Sequence, residues 1–290
     1  MAPTLYERFQ NYVLNCGMLL SIAIYYFFLT VFETVFVNFS PLVLFDIQKL
    51  RGKAFARFWE AITPPATSGV PDPLQSAHFQ KVPALLATAT GTVLDVGPGT
   101  GSLFPLYRTS PIRRIYAAEP VLELHEALKL SANAVGIDDK LEILHCGAEA
   151  KSLVPALAKA GLLQNGGKKN VEGVFDTIVC IRVLCSVPDL TSTIETLYRL
   201  LRPGGQFIIC EHVINPWRTS QKGSIIGRGF QRLYTLLGWP FFIGDCHLDR
   251  DTANLLRDIG NAQGGWKSVE TEEHGTWGTI PFVTGAYVKK

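Results

Sequence analysis

The six cysteines of this 290-residue sequence are widely spaced, with no Cys-x-x-Cys pair and no Cys/His pattern at zinc-ligand spacing. A zinc ribbon or finger is therefore excluded, no metal is expected, and a reduced, cytosol-facing domain is the simplest reading. Charge is also scarce. Only 18% of residues are charged, and Lys+Arg 27 against Asp+Glu 25 leaves +2. That balance lacks the electrostatic pull of a nucleic-acid binder, so nucleic acid is not expected as a partner. There is no internal repeat. What is abundant is apolar: 47% of the chain is hydrophobic and the mean hydropathy is +0.18, too apolar for a disordered or collagen-like chain. The length allows one or two domains, or a single α/β domain with an appendage.

The appendage is at the start. Val13 to Phe32 carries no charge, and at 1.5 Å per residue about 20 residues match a hydrocarbon core of ~30 Å. Glu33 interrupts, and Thr34 to Phe45 is uncharged again, with Pro41 breaking a continuous helix. A spanning helix and a monotopic or re-entrant anchor both fit. Lys49, Arg51, Lys53 and Arg57 follow at once, so the positive-inside rule places the downstream domain in the cytosol. A membrane lipid surface is thus an expected partner; no segment calls for an obligate protein partner. The expected organisation is a hydrophobic anchor with its basic flank over 1–60, a Pro-rich linker over 61–78, and a catalytic domain over 79–290.

Downstream, short apolar runs alternate with helical stretches. TVLDVG (92–97), RIYAAE (114–119), LEILHC (141–146), FDTIVCIRVL (175–184) and QFIICEHV (206–213) read as buried strands. Helices are expected over 122–134, 153–163, 190–201 and 251–259, and two further strands after Trp266. Alternation of this kind predicts an α/β fold: a Rossmann-like, doubly wound, seven-stranded and mostly parallel sheet. The stretch 161–173, with its Gly166-Gly167 pair, reads as a surface loop.

The sharpest local signal is Val93-Leu94-Asp95-Val96-Gly97-Pro98-Gly99-Thr100-Gly101. An apolar strand ends in an acidic residue and opens into three alternate glycines, which permit positive φ and close approach of a ligand to the backbone. Ser102 occupies the place of the third glycine of a dinucleotide fingerprint, so the spacing favours a nucleoside without a pyrophosphate. Glu119 ends the next strand, where a carboxylate can accept from both ribose hydroxyls. Leu201-Arg202-Pro203-Gly204-Gly205 precedes the fifth strand. Two other function classes share such a glycine turn: a nicotinamide-dependent oxidoreductase, against which Ser102 and the LRPGG turn argue, and a non-catalytic nucleoside-binding membrane protein.

Taken in this order, VLDVGPGTG, AAEP, HCGAEA, FDTIVC and LRPGG resemble the motifs of the class I S-adenosylmethionine-dependent methyltransferases. IRVLCSVPD, IICEHV and GDCHLDRDT, with the apolar N-terminus, resemble the methyltransferase-like protein 7 group, small membrane-anchored enzymes acting on thiols of small molecules. The resemblance implies S-adenosyl-L-methionine as cofactor and a small, lipophilic acceptor methylated at sulfur, oxygen or nitrogen. It implies that Gly97, Pro98, Gly99, Thr100 and Gly101 shape the turn under the methionyl part and that Asp95 holds its ammonium. Glu119 and Pro120 would meet the ribose, Gly147, Ala148 and Glu149 the adenine, and Ile181, Arg182 and Val183 the far side of the pocket. Endoplasmic reticulum or lipid droplet is the membrane this group implies. Arg182 departs from the smaller or uncharged residue of many relatives.

The sulfonium donor is already activated, so the protein has mainly to align a nucleophile and exclude water. A thiol with pKa near ~8.5 needs little help, whereas a hydroxyl wants a base. Glu211, His212, Asp245 and His247 are the candidate bases, with His212 the preferred one. Cys185, Trp217, Asp245 and His247 are candidates for the acceptor pocket.

Overall fold

The computed structural model describes residues 3–66, 79–107, 111–163, 172–219 and 222–290. Most of the Pro-rich linker (67–78) and the centre of the 161–173 loop lie outside the described residues.

Seven strands form one sheet: β1 (Gly91–Val96), β2 (Ile112–Ala118), β3 (Leu141–Leu144), β4 (Phe175–Ile181), β5 (Leu201–His212), β6 (Trp266–His274) and β7 (Phe282–Lys289). Their spatial order is β3-β2-β1-β4-β5-β7-β6. The first five are parallel, and β7 runs antiparallel between β5 and β6. The expected doubly wound, mostly parallel sheet is therefore what the chain forms. Its strands read as apolar runs because both faces are covered. Leu94, Val96, Ile178, Cys180, Phe207 and Ile209 pack on one side, while Val93, Ala117, Val179, Ile181, Ile208 and Cys210 pack on the other. The chain leaves β1 toward β2 and β3 on one side and later returns to β4 on the other. This reversal opens a crevice at the carboxyl ends of β1 and β4.

The covering helices begin with α4 (Val82–Ala87), ahead of β1, and the sequence marks some of their ends. In α7 (Leu190–Leu200) the Asp189 side chain accepts from the Ser192 amide, one of the donors a helix start otherwise leaves unpaired. α5 (His125–Val135) stops at Gly136, at φ 71°, as helices ending in a left-handed residue do. α6 (Ala150–Lys159) begins and ends earlier than the periodicity predicts, and α10 (Thr252–Ala262) extends three residues further. β5 begins at Leu201, so the Pro-Gly-Gly turn lies within the strand, at an irregularity in its pairing with β4.

The N-terminal region is helical through Glu33, the charge that interrupts the uncharged run, and its long helix ends before Pro41, where the break is expected. α1 (Leu5–Phe9) passes through a π-turn into α2 (Cys16–Phe32), which continues through Glu33–Val37. Leu5–Val37 is thus one helix, long and apolar enough to cross a membrane. Glu33 lies within it, as a good helix former can, and its carboxylate pairs with the Arg57 guanidinium. Arg57 belongs to α3 (Ile47–Ile62), started by the Asp46 side chain on the Lys49 amide. α3 returns along α2, and Phe58, Ile62, Cys16, Leu20 and Ala23 share a core with Tyr234, Trp239 and Ile243. Those aromatics come from α8 (Ile225–Leu236) and the start of α9 (Trp239–Phe242). The opposite side of α2, with Met18, Tyr25, Phe28 and Phe32, is exposed.

Phe58 is 1% exposed at the centre of this contact. Truncating a buried phenylalanine costs about 3–5 kcal/mol through lost transfer energy and the cavity left behind. Phe58→Ala is expected to lose that much in denaturant unfolding of the detergent-solubilised protein, and Phe58→Leu clearly less.

Candidate functional site

A cavity of about 530 Å³ opens at the carboxyl ends of β1, β2 and β4. The turn after β1 forms one edge. Gly97 and Gly99 both sit at φ 61°, and a Cβ on Gly99 would lie 2.5 Å from the Trp59 indole nitrogen. Only glycine takes that backbone conformation without strain and leaves that space. The turn is held by the Gly97 amide on the Ala118 carbonyl at 2.9 Å and by the Thr100 hydroxyl on the Thr63 carbonyl at 2.8 Å.

Glu119 stands at the middle of the site. It is 3% exposed and accepts from the Gly99 amide at 3.0 Å and the Val121 amide at 2.9 Å. One carboxylate thus ties the turn after β1 to the turn after β2, with each oxygen retaining acceptor capacity. Burial pushes its pKa up to about 7, against the two amide hydrogen bonds that favour the charged form. Asp95 is also raised to about 7 by burial, opposed by its hydrogen bond from the Tyr107 hydroxyl and reinforced by the charge of Glu119.

The residues singled out in the sequence divide into three groups. Gly97, Gly99, Glu119, Pro120, Gly147, Ala148, Glu149, Arg182, Val183 and Asp245 all line the cavity. Asp95, Pro98, Gly101 and Ile181 line a much smaller hollow that shares Trp59, Gly97 and Arg182 with it. Thr100 reaches neither, because its hydroxyl is spent on Thr63. Arg182 adopts φ 59°, and its guanidinium lies over the Trp59 and Phe79 rings at 5.1 and 4.8 Å.

Four expectations are corrected. His212 is 7% exposed and does not face the cavity; Nε2 lies 3.1 Å from the Cys246 sulfur. Cys185 points inward to the same cluster, since the turn after β4 presents Val183 and Ser186 to the cavity instead. His247 is held by its amide on the Cys185 carbonyl and is not among the lining residues. Trp217 lines a separate groove with Arg228 and Asn254. The chain is turned away after β5 by Asn215, whose side-chain amide donates to the Thr276 and Gly278 carbonyls. Glu211, another candidate base, is fully buried and accepts from the Val183 and Leu184 amides.

Sequence reasoning missed a whole wall. Gln48, Arg51, Gly52, Phe55 and Trp59 of α3 line the cavity. Arg51 donates to Asp245 at 2.6 Å and to the Phe241 and Pro240 carbonyls. In the sequence these residues read as a basic membrane flank; the aromatic pair Phe55 and Trp59, four apart on one helix face, was the available signal.

Comparison with known proteins now bears on the site. Residues 73–260 match the family model of a methyltransferase domain. The chain belongs to this family and is an S-adenosylmethionine-dependent methyltransferase. It is 25% identical over 212 residues to the thiol S-methyltransferase TMT1B of Homo sapiens, covering 73% of this chain and 75% of that protein. The Rattus norvegicus TMT1B is 27% identical over 206 residues, 70% of each chain. The ubiquinone biosynthesis O-methyltransferase of Xanthomonas oryzae pv. oryzae (strain PXO99A) is 26% identical over 153 residues, 53% of this chain and 55% of that one. Among solved structures, the (4+2)-cyclase SpnF aligns with a TM-score of 0.51 at 13% identity, over 82% of this chain and 96% of that chain; it shares the fold. A small-molecule acceptor follows from the family, and the oxidoreductase alternative is set aside.

Both carboxyls of the methyltransferase site bind their protons more tightly folded than unfolded, since burial raises them from ordinary values of 3.8 and 4.5 to about 7. Their contribution to stability is therefore lost as pH rises through that window. The thermal midpoint of ligand-free protein is expected to fall between roughly pH 5 and 7.5, with a shallower fall in Glu119→Gln; equal slopes in the two proteins would contradict this.

Proposed function

We propose that the enzyme transfers a methyl group to the thiol of a small, lipophilic molecule at a membrane surface. In this reading Glu119 accepts from both ribose hydroxyls. Gly97 and Gly99 would let the backbone approach the donor and Asp95 would hold its methionyl ammonium, while Pro98, Thr100 and Gly101 keep the turn in shape. Pro120, Gly147, Ala148 and Glu149 flank the adenine, and Arg182 and Val183 close the far side.

The observation that carries the thiol reading is the state of the bases. Asp245 is paired with Arg51, Glu211 holds two backbone amides, and His212 is shut in the interior. Arg182 meanwhile places a permanent positive charge on the cavity wall, which favours the ionised form of a nearby acid. A thiol, with pKa near ~8.5, reaches its nucleophilic form under these conditions without a base. A hydroxyl does not. The thiolate sulfur attacks the methyl carbon in line, the bond from that carbon to the sulfonium breaks, and a thioether and S-adenosylhomocysteine leave; the thiol proton has gone to solvent. The names of the TMT1B relatives agree with this acceptor.

Support for the location comes from α3, which walls the cavity with one face and packs on α2 with another. Because α3 also carries Lys49, Lys53 and Glu60, the pair is too polar to lie inside a bilayer. A monotopic arrangement suits it, with the exposed face of α2 in the lipid and the domain on the cytosolic side. Ile226, Leu233 and Leu237 of the α8 region extend the exposed apolar surface. Six free cysteines fit that compartment. Endoplasmic reticulum or lipid droplet is the membrane this reading assigns, and fractionation of cells expressing the tagged protein checks it.

Full-length protein in detergent, given labelled donor and thiol, phenol and amine acceptors of matched lipophilicity, is expected to methylate the thiol. Preferential methylation of the phenol or amine would refute the proposal. Donor binding is expected to be lost in Glu119→Ala and Gly99→Arg. Arg182→Gln is expected to move the rising limb of the kcat profile, which reports the bound thiol, to higher pH, and an unmoved profile would remove Arg182 from this role.

A further inference from the structure

Behind the cavity, the side chains of Cys185, His212 and Cys246 converge. All three are buried, and their ligand atoms lie within 4.8 Å of one another. They come from three separate segments: the turn after β4, the last residue of β5, and the loop after α9. Nε2 of His212 is 3.1 Å from Sγ of Cys246, and the same sulfur accepts the Trp239 indole N–H at 3.2 Å. Nδ1 of His212 is buried without a hydrogen-bond partner.

Thiols alone need no explanation here, since a buried cysteine packs like a small hydrophobe. The imidazole does. A buried polar ring costs stability unless it is well paired, and this one has only sulfur, a weak partner, on Nε2. An ion between the three groups replaces that weak partner on Nε2 with a coordinate bond. Zn²⁺ takes thiolate sulfur at ~2.3 Å and imidazole nitrogen at ~2.0–2.1 Å, so a tetrahedral centre holds two sulfurs about 3.8 Å apart and sulfur and nitrogen about 3.6 Å apart. The 3.1 Å nitrogen–sulfur pair reaches its separation by opening about half an ångström, and the other separations lie within 4.8 Å. Two thiolates balance the charge of Zn²⁺, and the Trp239 N–H directed at Cys246 is the kind of outer donor that steadies a metal thiolate.

We propose that Cys185, His212 and Cys246 form a zinc-binding site distinct from the methyl-transfer cavity. Binding replaces the two thiol protons, which leave to solvent, with two Zn–S bonds and one Zn–N bond, and no electron changes hands. The fourth position takes a small ligand. The site fastens the segment bearing Val183 and Ser186 to the one bearing Gly244 and Asp245, so that two walls of the cavity are held from behind.

The test is metal analysis of full-length protein purified in detergent without chelator, followed by removal and return of metal. About one zinc per chain is expected, with a thermal midpoint that falls on removal and recovers at one equivalent of added Zn²⁺. Co²⁺ in its place should give the intense thiolate charge-transfer absorption of a tetrahedral site. Cys185→Ser, Cys246→Ser and His212→Gln should lose the metal, whereas Cys146→Ala should keep it. The wild-type titration keeps the test independent of whether the variants fold. Metal-free protein whose midpoint ignores added Zn²⁺ and which gives no Co²⁺–thiolate band would overturn the proposal, as would a Cys185–Cys246 disulfide in the isolated protein.

Discussion

A single buried carboxylate organises the methyltransferase site. Glu119 receives one amide from the glycine turn after β1 and one from the turn after β2, so two loops are fixed to one carboxylate. Because the group is almost wholly removed from water, these hydrogen bonds are strong and their loss is expensive. The spacing of the edge follows from that brace: the glycine turn cannot drift from the sheet without orphaning a buried acceptor. The carboxylate is thus structural before any ligand arrives, and its remaining lone pairs face the cavity.

The second constraint acts over a longer distance. Arg51 bonds with Asp245, 194 residues away, and Arg57 pairs with Glu33. Two of the four basic residues that follow the apolar N-terminus, Arg51 and Arg57, are therefore engaged in contacts within the structure. Arg182, in a left-handed conformation between Trp59 and Phe79, links the same helix to the sheet. A residue of this bulk at positive φ is costly, and the stacking of its guanidinium on two rings offsets that cost.

Most of the sheet was legible in the sequence because each buried strand is an apolar run bounded by turn residues, and the glycine turn was legible because its chemistry is local. The edges of α6 and β5 were less so: hydrophobic periodicity marks the buried face of a helix and says little about its ends. The inward orientation of Cys185 and His212 was not legible at all. It depends on how the turn after β4 rotates around Arg182, and on the loop that brings Cys246 to meet them from beyond α9. The same holds for α3. Its mixed sequence gives a flank by composition and a cavity wall only by contact with residues far along the chain, and no pattern within residues 47–62 encodes the position of Asp245. The ion pair of Glu33 was hidden for the same reason, since its guanidinium partner lies 24 positions away.

The double duty of α3 has a practical consequence. Trimming the greasy leader would strip the backing from Phe55 and Trp59, which pack against its cluster, and so loosen one wall of the cavity. A preparation that keeps the helix is the faithful one.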